Sequence, residues 1–158
     1  MNTHSLAPII RKHAFFAGLD ETIIDLVTGC AENVRFESGT VMARMGDAAD
    51  RFFLIREGRV SVAFPAQQGG SVTIQTLDED DVVGWSWLIP PYEWQFDVIA
   101  LRPVRALALD GKCLRQKCEQ DPKLGYELMK RFSQAMVKRL QATRLQLLDL
   151  YGNGRPDK

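Results

Sequence analysis

Between Val34 and Leu109 the chain is cut into short apolar runs, several alternating with a period of two and each closed by turn residues, so no long helix can be written across this half of it. Val34 to Phe36, Thr40 to Met42, Phe52 to Ile55, Val60 to Phe64, Val72 to Leu77, Val82-Val83, Asp97 to Ala100 and Val104 to Leu109 read as strands. Glu37-Ser38-Gly39, Met45-Gly46-Asp47, Arg56-Glu57-Gly58-Arg59, Gln67 to Gly70 and Asp78 to Asp81 supply the reversals. The pattern predicts a mainly β fold with flanking helices, an eight-stranded jelly-roll-like β-roll over about 33–110.

The flanks are helical. Residues 5–13 and 20–31 read as two helices, the second opened by Asp20 as N-cap. Asp110 caps a short helix to about Glu119, and Asp121-Pro122 starts a long one over 122–151, about 45 Å at 1.5 Å per residue. Along it Met129, Phe132, Met136, Leu140, Thr143, Leu147 and Leu150 recur at alternating spacings of three and four, the seam a helix offers to a partner helix. Leu124, Leu128, Ala135 and Ala142 form a second apolar face that could cover the roll. The expectation is one domain over 1–151, a flexible tail at 152–158, and a parallel homodimer through the seam.

Twenty basic residues balance 20 acidic ones, so no overall attraction to nucleic acid or anionic lipid is written into the chain. Lys130, Arg131, Lys138, Arg139 and Arg144 read as a solvated helix face. No run is long and apolar enough for a membrane span and no signal-peptide layout opens the sequence, which reads as cytoplasmic. The odd cysteine count and the absence of C-x-x-C predict reduced thiols rather than a disulfide or metal site.

Jelly rolls also carry metal-dependent chemistry, which needs clustered His and carboxylate ligands on the strands. Here the only histidines, His4 and His13, precede the roll, and no catalytic constellation stands out. No enzyme activity, metal or cofactor is expected; His13 alone could serve as an axial haem ligand.

Gly84 to Phe96, Gly-Trp-Ser-Trp-Leu-Ile-Pro-Pro-Tyr-Glu-Trp-Gln-Phe, holds all three tryptophans, and Pro90-Pro91 forbids a continuous helix through it. Trp85, Trp87, Tyr92 and Trp94 could stack a flat ring system, with Gly84, Ser86, Leu88 and Gln95 shaping and orienting the site. Equally, the tryptophans could fill the roll and leave no cavity.

Five phrases occur in family order: Phe36-Glu37-Ser38-Gly39-Thr40, Met45-Gly46-Asp47-Ala48-Ala49-Asp50, Phe52 through Val60 (FFLIREGRV), Asp81-Val82-Val83-Gly84 and Lys138 through Thr143 (KRLQAT). Together with the element order, they resemble the cyclic nucleotide-binding domain of the catabolite activator protein and FNR superfamily. The resemblance implies that residues 84–96 occupy the position of the phosphate-binding cassette, where a Glu after the glycine holds the ribose and an Arg near the end neutralises the cyclic phosphate. This chain has Trp85 at the first position and Trp94-Gln95 at or beside the second. The resemblance also implies that Thr143 reaches the nucleotide base across the dimer seam; as a polar residue in an apolar seam it could equally set helix register.

Members that regulate transcription continue into a helix-turn-helix, and the seven residues from Gly152 onward are too few for one, so no sequence-specific DNA binding is expected. Two readings follow. One is a small-molecule-sensing regulatory module with altered ligand specificity, binding a nucleotide-like or flat aromatic ligand and acting on a separate output protein. The other is a ligand-free dimeric scaffold whose pocket is filled.

Overall fold

The computed structural model describes residues 6–154, with side chains through residue 152; His4 and residues 155–158 of the expected flexible tail lie outside them, while 152–154 are helical. The chain divides into two compact units, residues 1–125 and residues 126–158.

The first unit is the expected roll. α1 (Leu6–Lys12), a 3₁₀ turn (Ala14–Phe16) and α2 (Glu21–Thr28) precede eight strands: β1 (Ala31–Phe36), β2 (Val41–Ala43), β3 (Arg51–Glu57), β4 (Val60–Pro65), β5 (Ser71–Leu77), β6 (Val82–Val83), β7 (Asp97–Ala100) and β8 (Val104–Asp110). α3 (Gly111–Gln120) and α4 (Pro122–Gly154) follow. Among the described residues the strand pairings are antiparallel, in two four-stranded sheets ordered β1-β8-β3-β6 and β2-β7-β4-β5. Asp20 caps α2 by accepting from Ile23 N at 3.0 Å, and Asp110 caps α3 by accepting from Cys113 N at 3.0 Å, each an otherwise orphaned amide.

β3 and β8 explain why the two-residue period fades in mid-chain. Phe53 and Ile55 of β3, with Val104, Ala106 and Ala108 of β8, face a core shared with Val60, Val62, Val98, Ala100 and Phe96. Phe52, Leu54, Leu107 and Leu109 alternate with them and are buried on the opposite face, where α3 packs on both strands. Burying each such side chain contributes about 1.5–3 kcal/mol, so a strand apolar on both faces anchors both layers. At the β3–β4 reversal Gly58 has φ +108°, and a Cβ there would lie 2.4 Å from Pro103 O; only glycine fits.

The expectation of reduced thiols is corrected. Cys30 and Cys113 form a disulfide with Cα atoms 5.9 Å apart, while Cys118 is free. The cysteines are 83 residues apart, so local spacing held no sign of the bridge. Pairing of Ala31 with Leu109 at the end of the β1–β8 ladder brings them together, and Asp110 N donates to Cys30 O at 2.8 Å. On the chain-entropy account a loop of this length contributes about 4.5 kcal/mol.

The second unit is α4 beyond Gly125. The helix runs three residues past its expected end, about 50 Å in all. Along it Phe132 and Leu128 are 0% exposed within the single chain. Met129, Leu140, Leu147 and Leu150 are exposed, as are Tyr126, Val137, Leu145, Leu148 and Tyr151, while Met136 and Thr143 are half-buried.

Candidate functional site

Gly84 to Phe96 crosses from one sheet to the other and is fastened at both ends. Its second half is zipped to the loop after β2: Gly46 N donates to Trp94 O at 2.8 Å, Trp94 N to Asp47 O at 2.9 Å and Ala49 N to Tyr92 O at 2.7 Å, with a β-bridge between Ala48 and Glu93. Asp97 Oδ1 accepts from Met45 N at 2.8 Å and steadies the same loop. Residues 85–89 make tight turns, Leu88 N bonding Trp85 O at 3.0 Å, and the Pro90–Pro91 peptide is cis. Tyr92 has φ +60°, a conformation costing a non-glycine residue about 1–2 kcal/mol, held by its bonds to Ile89 and Ala49.

The tryptophans do not converge on one site. Trp94 is 5% exposed and belongs to the roll core, stacked on Phe53 with centroids 6.3 Å apart and edge-on to Phe96 at 6.0 Å. Gly84, at φ +97°, makes room for it: a Cβ would stand 2.6 Å from Trp94 Cη2. Trp87 is 0% exposed on the other side of β3, stacked on Phe52 at 5.0 Å and 16°, with its Cβ 2.8 Å from where a Cβ of Gly111 would be. Trp85 is half-buried and edge-on to Phe96 at 6.4 Å. Of the other candidates, Ser86 is buried, Leu88 and Tyr92 are half-buried, and Gln95 is exposed with Nε2 bonded to Glu93 O. Gly84 and Trp94 thus meet at the roll interior, with Trp85 half-buried against Phe96, whereas Trp87 faces α3.

One residue not singled out from the sequence holds the segment from outside. Arg115 of α3 donates to Trp87 O, places its guanidinium 4.3 Å from the Tyr92 ring centroid and lies 4.0 Å from Asp50 Oδ1. Gly111 N also bonds Asp50 O at 2.7 Å. The only sequence signal was an Arg beside the buried Leu114 at the start of a helix; its partners lie 23 to 65 positions upstream.

On α4, the Thr143 hydroxyl donates to Arg139 O at 3.0 Å, one turn back on its own helix. His13 is not available as an axial ligand: Nδ1 accepts from Phe15 N at 3.2 Å, so the ring proton sits on Nε2, which donates to Ile55 O at 3.2 Å. Burial pushes its pKa down, against the opposing pull of the Ile55 carbonyl and of Asp80 and Asp81. Among the described residues no group of three or more His, Cys, Asp or Glu could hold a metal ion.

The model of the cyclic nucleotide-binding domain matches residues 33–121, more than half of the chain and nearly all of the roll. The chain belongs to the cyclic nucleotide-binding domain family. It is 23% identical over 142 residues, 90% of its length, to the CRP-like cAMP-activated global transcriptional regulator of Mycobacterium tuberculosis, and spans 62% of that protein. A candidate cyclic nucleotide-binding protein of Geobacter metallireducens is similar in structure, with TM-score 0.74 and 27% identity, covering 89% of this chain and 98% of that one. A cyclic nucleotide-binding domain of Methylobacillus flagellatus shares the fold at TM-score 0.76 and 20% identity, over 93% of this chain and 83% of that one. Within the roll of this family member, Trp94 belongs to the core.

Proposed function

We propose that this chain is a non-enzymatic regulatory module of the cyclic nucleotide-binding type that does not take cyclic AMP or cyclic GMP in the family's usual manner. One observation carries the reading: the Trp94 ring occupies the roll interior beside Gly84. A cyclic phosphate there would meet an indole in place of a guanidinium. Loss of such a charge-assisted, bidentate partner from a buried site costs on the order of 2–5 kcal/mol, before the cost of displacing the ring. The geometry favours the filled-roll reading over an open aromatic pocket.

The module acts as a homodimer through the exposed apolar stripe of α4, which includes Tyr126, Val137, Leu140 and Leu147, and passes its state to a separate output protein. Calorimetric titration with cyclic AMP and cyclic GMP up to millimolar concentration tests the ligand reading: no saturable heat is expected, and micromolar affinity for either nucleotide would overturn it. Light scattering should report a dimer at micromolar concentration; a monomer would remove the second part alone.

A second reading, a sensor of another flat ligand, is favoured by Trp85, whose half-buried indole sits edge-on to Phe96 with Gln95 exposed nearby in sequence. Mass spectrometry of the natively purified protein separates the two: a stoichiometric small molecule supports the sensor.

A further inference from the structure

The Cys30–Cys113 bridge and the clamp on the cassette share the start of one helix. Cys113 lies in the first turn of α3 and Arg115 follows two residues later, holding Trp87 O and the Tyr92 ring. Gly111, at the head of the same turn, is pressed between Trp87 and Asp50. Through Cys30 the bridge ties this turn to the end of α2, where Lys117 Nζ adds a bond to Leu26 O at 2.7 Å. The position of Arg115 relative to the cassette thus depends on a covalent tie that no neighbouring contact duplicates in strength.

The bridge is also reachable. It borders a cleft of about 300 Å³, lined in addition by Glu32, Asp50, Arg51 and Asp110, and Cys113 is half-buried on that side while Cys30 is buried. The third cysteine does not compete: burial, with Glu119 and Asp121 nearby, pushes the Cys118 thiol up to about 11, so almost none is thiolate at neutral pH.

We propose that Cys30–Cys113 is a thiol–disulfide exchange site, taking a small dithiol as its reductant, and that its redox state sets how firmly the cassette is held. A thiolate of the dithiol attacks Cys113 Sγ from the cleft, forming a mixed disulfide and releasing Cys30 as a thiolate that takes up a proton. The second thiolate of the reductant then closes on its own mixed-disulfide sulfur and releases Cys113, which is protonated in turn. Two electrons and two protons pass to the protein, and the dithiol leaves as a cyclic disulfide. The first turn of α3 then rests on its Asp110 cap and on Asp50, and the Arg115 clamp loosens. The inference stands whatever occupies the roll.

Full-length protein, air-oxidised or treated with dithiothreitol, provides the test, read by thiol alkylation and by hydrogen exchange with mass spectrometry. After denaturation the oxidised chain should take one alkyl label, at Cys118, and the reduced chain three. Reduction should speed amide exchange across 85–92 by roughly tenfold or more, the scale of losing one hydrogen bond from a charged donor, while β3 and β8 keep their protection. Cys113→Ser should reproduce the reduced pattern and ignore the reductant, and Arg115→Gln should speed exchange at 85–92 in both states and remove the difference between them. Three labels on the oxidised chain, equal exchange of 85–92 in the two states, or loss of protection throughout the roll on reduction would each overturn the proposal; the last would make the bridge a staple of the whole fold.

Discussion

Trp87 and Trp94 sit seven residues apart in one segment, both almost wholly buried, yet on opposite faces of the same sheet. Trp94 completes the interior of the roll. Trp87 fastens the outside, stacked on Phe52 beneath the first turn of α3. The lesson is that aromatic density in a sequence does not mark one pocket. Here it marks two seams, one inside and one outside β3, and the same thirteen residues serve both.

The sharpest way to break this comparison is to remove each ring. Trp94→Ala and Trp87→Ala should each cost about 3–5 kcal/mol in urea unfolding, the usual scale for truncating a buried aromatic. They should differ in place: native-state hydrogen exchange should quicken at β6 and β7 for Trp94→Ala, and at α3 for Trp87→Ala. Identical exchange maps would mean the two rings serve one site after all.

Gly84→Ala tests the inner seam through the backbone. A Cβ at φ +97° and 2.6 Å from the indole adds left-handed strain to overpacking, so a loss of about 2–4 kcal/mol is expected from the denaturation midpoint. The outer seam has a milder probe. Arg115→Gln keeps a donor but loses the charge over Tyr92, and should cost about 1–2 kcal/mol in the same assay, because the side chain is 22% exposed and partly screened.

The smallest effect concerns His13, which meets the Ile55 backbone at the sheet both seams share. Its pKa is lowered chiefly by burial, and the folded state holds it neutral. The unfolded chain therefore binds more protons than the native one between the lowered pKa and about 6.5. The contribution is fully present above about pH 6.5 and is lost as the pH falls toward the folded pKa. Melting curves from pH 7.5 to 5 should show a decline that His13→Gln reduces; an unchanged slope would remove His13 as its cause.

Much of the architecture was legible because it depends on local signals. Asp20 and Asp110 announced two helix starts, the turn glycines marked reversals, and Pro122 opened α4 where it was expected. The disulfide and the Arg115 clamp were not, since each rests on pairing between residues far apart in the chain.

By itself, then, the sequence determined the order of elements and the eight-stranded roll, both of which follow from residue type and short-range spacing. Only the tertiary structure decided that Trp94 turns inward while Trp87 turns outward, that Cys30 meets Cys113, and that Arg115 reaches back to hold the cassette. The physical reason is that successive side chains along an extended segment alternate between its faces, but which face becomes interior is settled by how two sheets and a helix close around it.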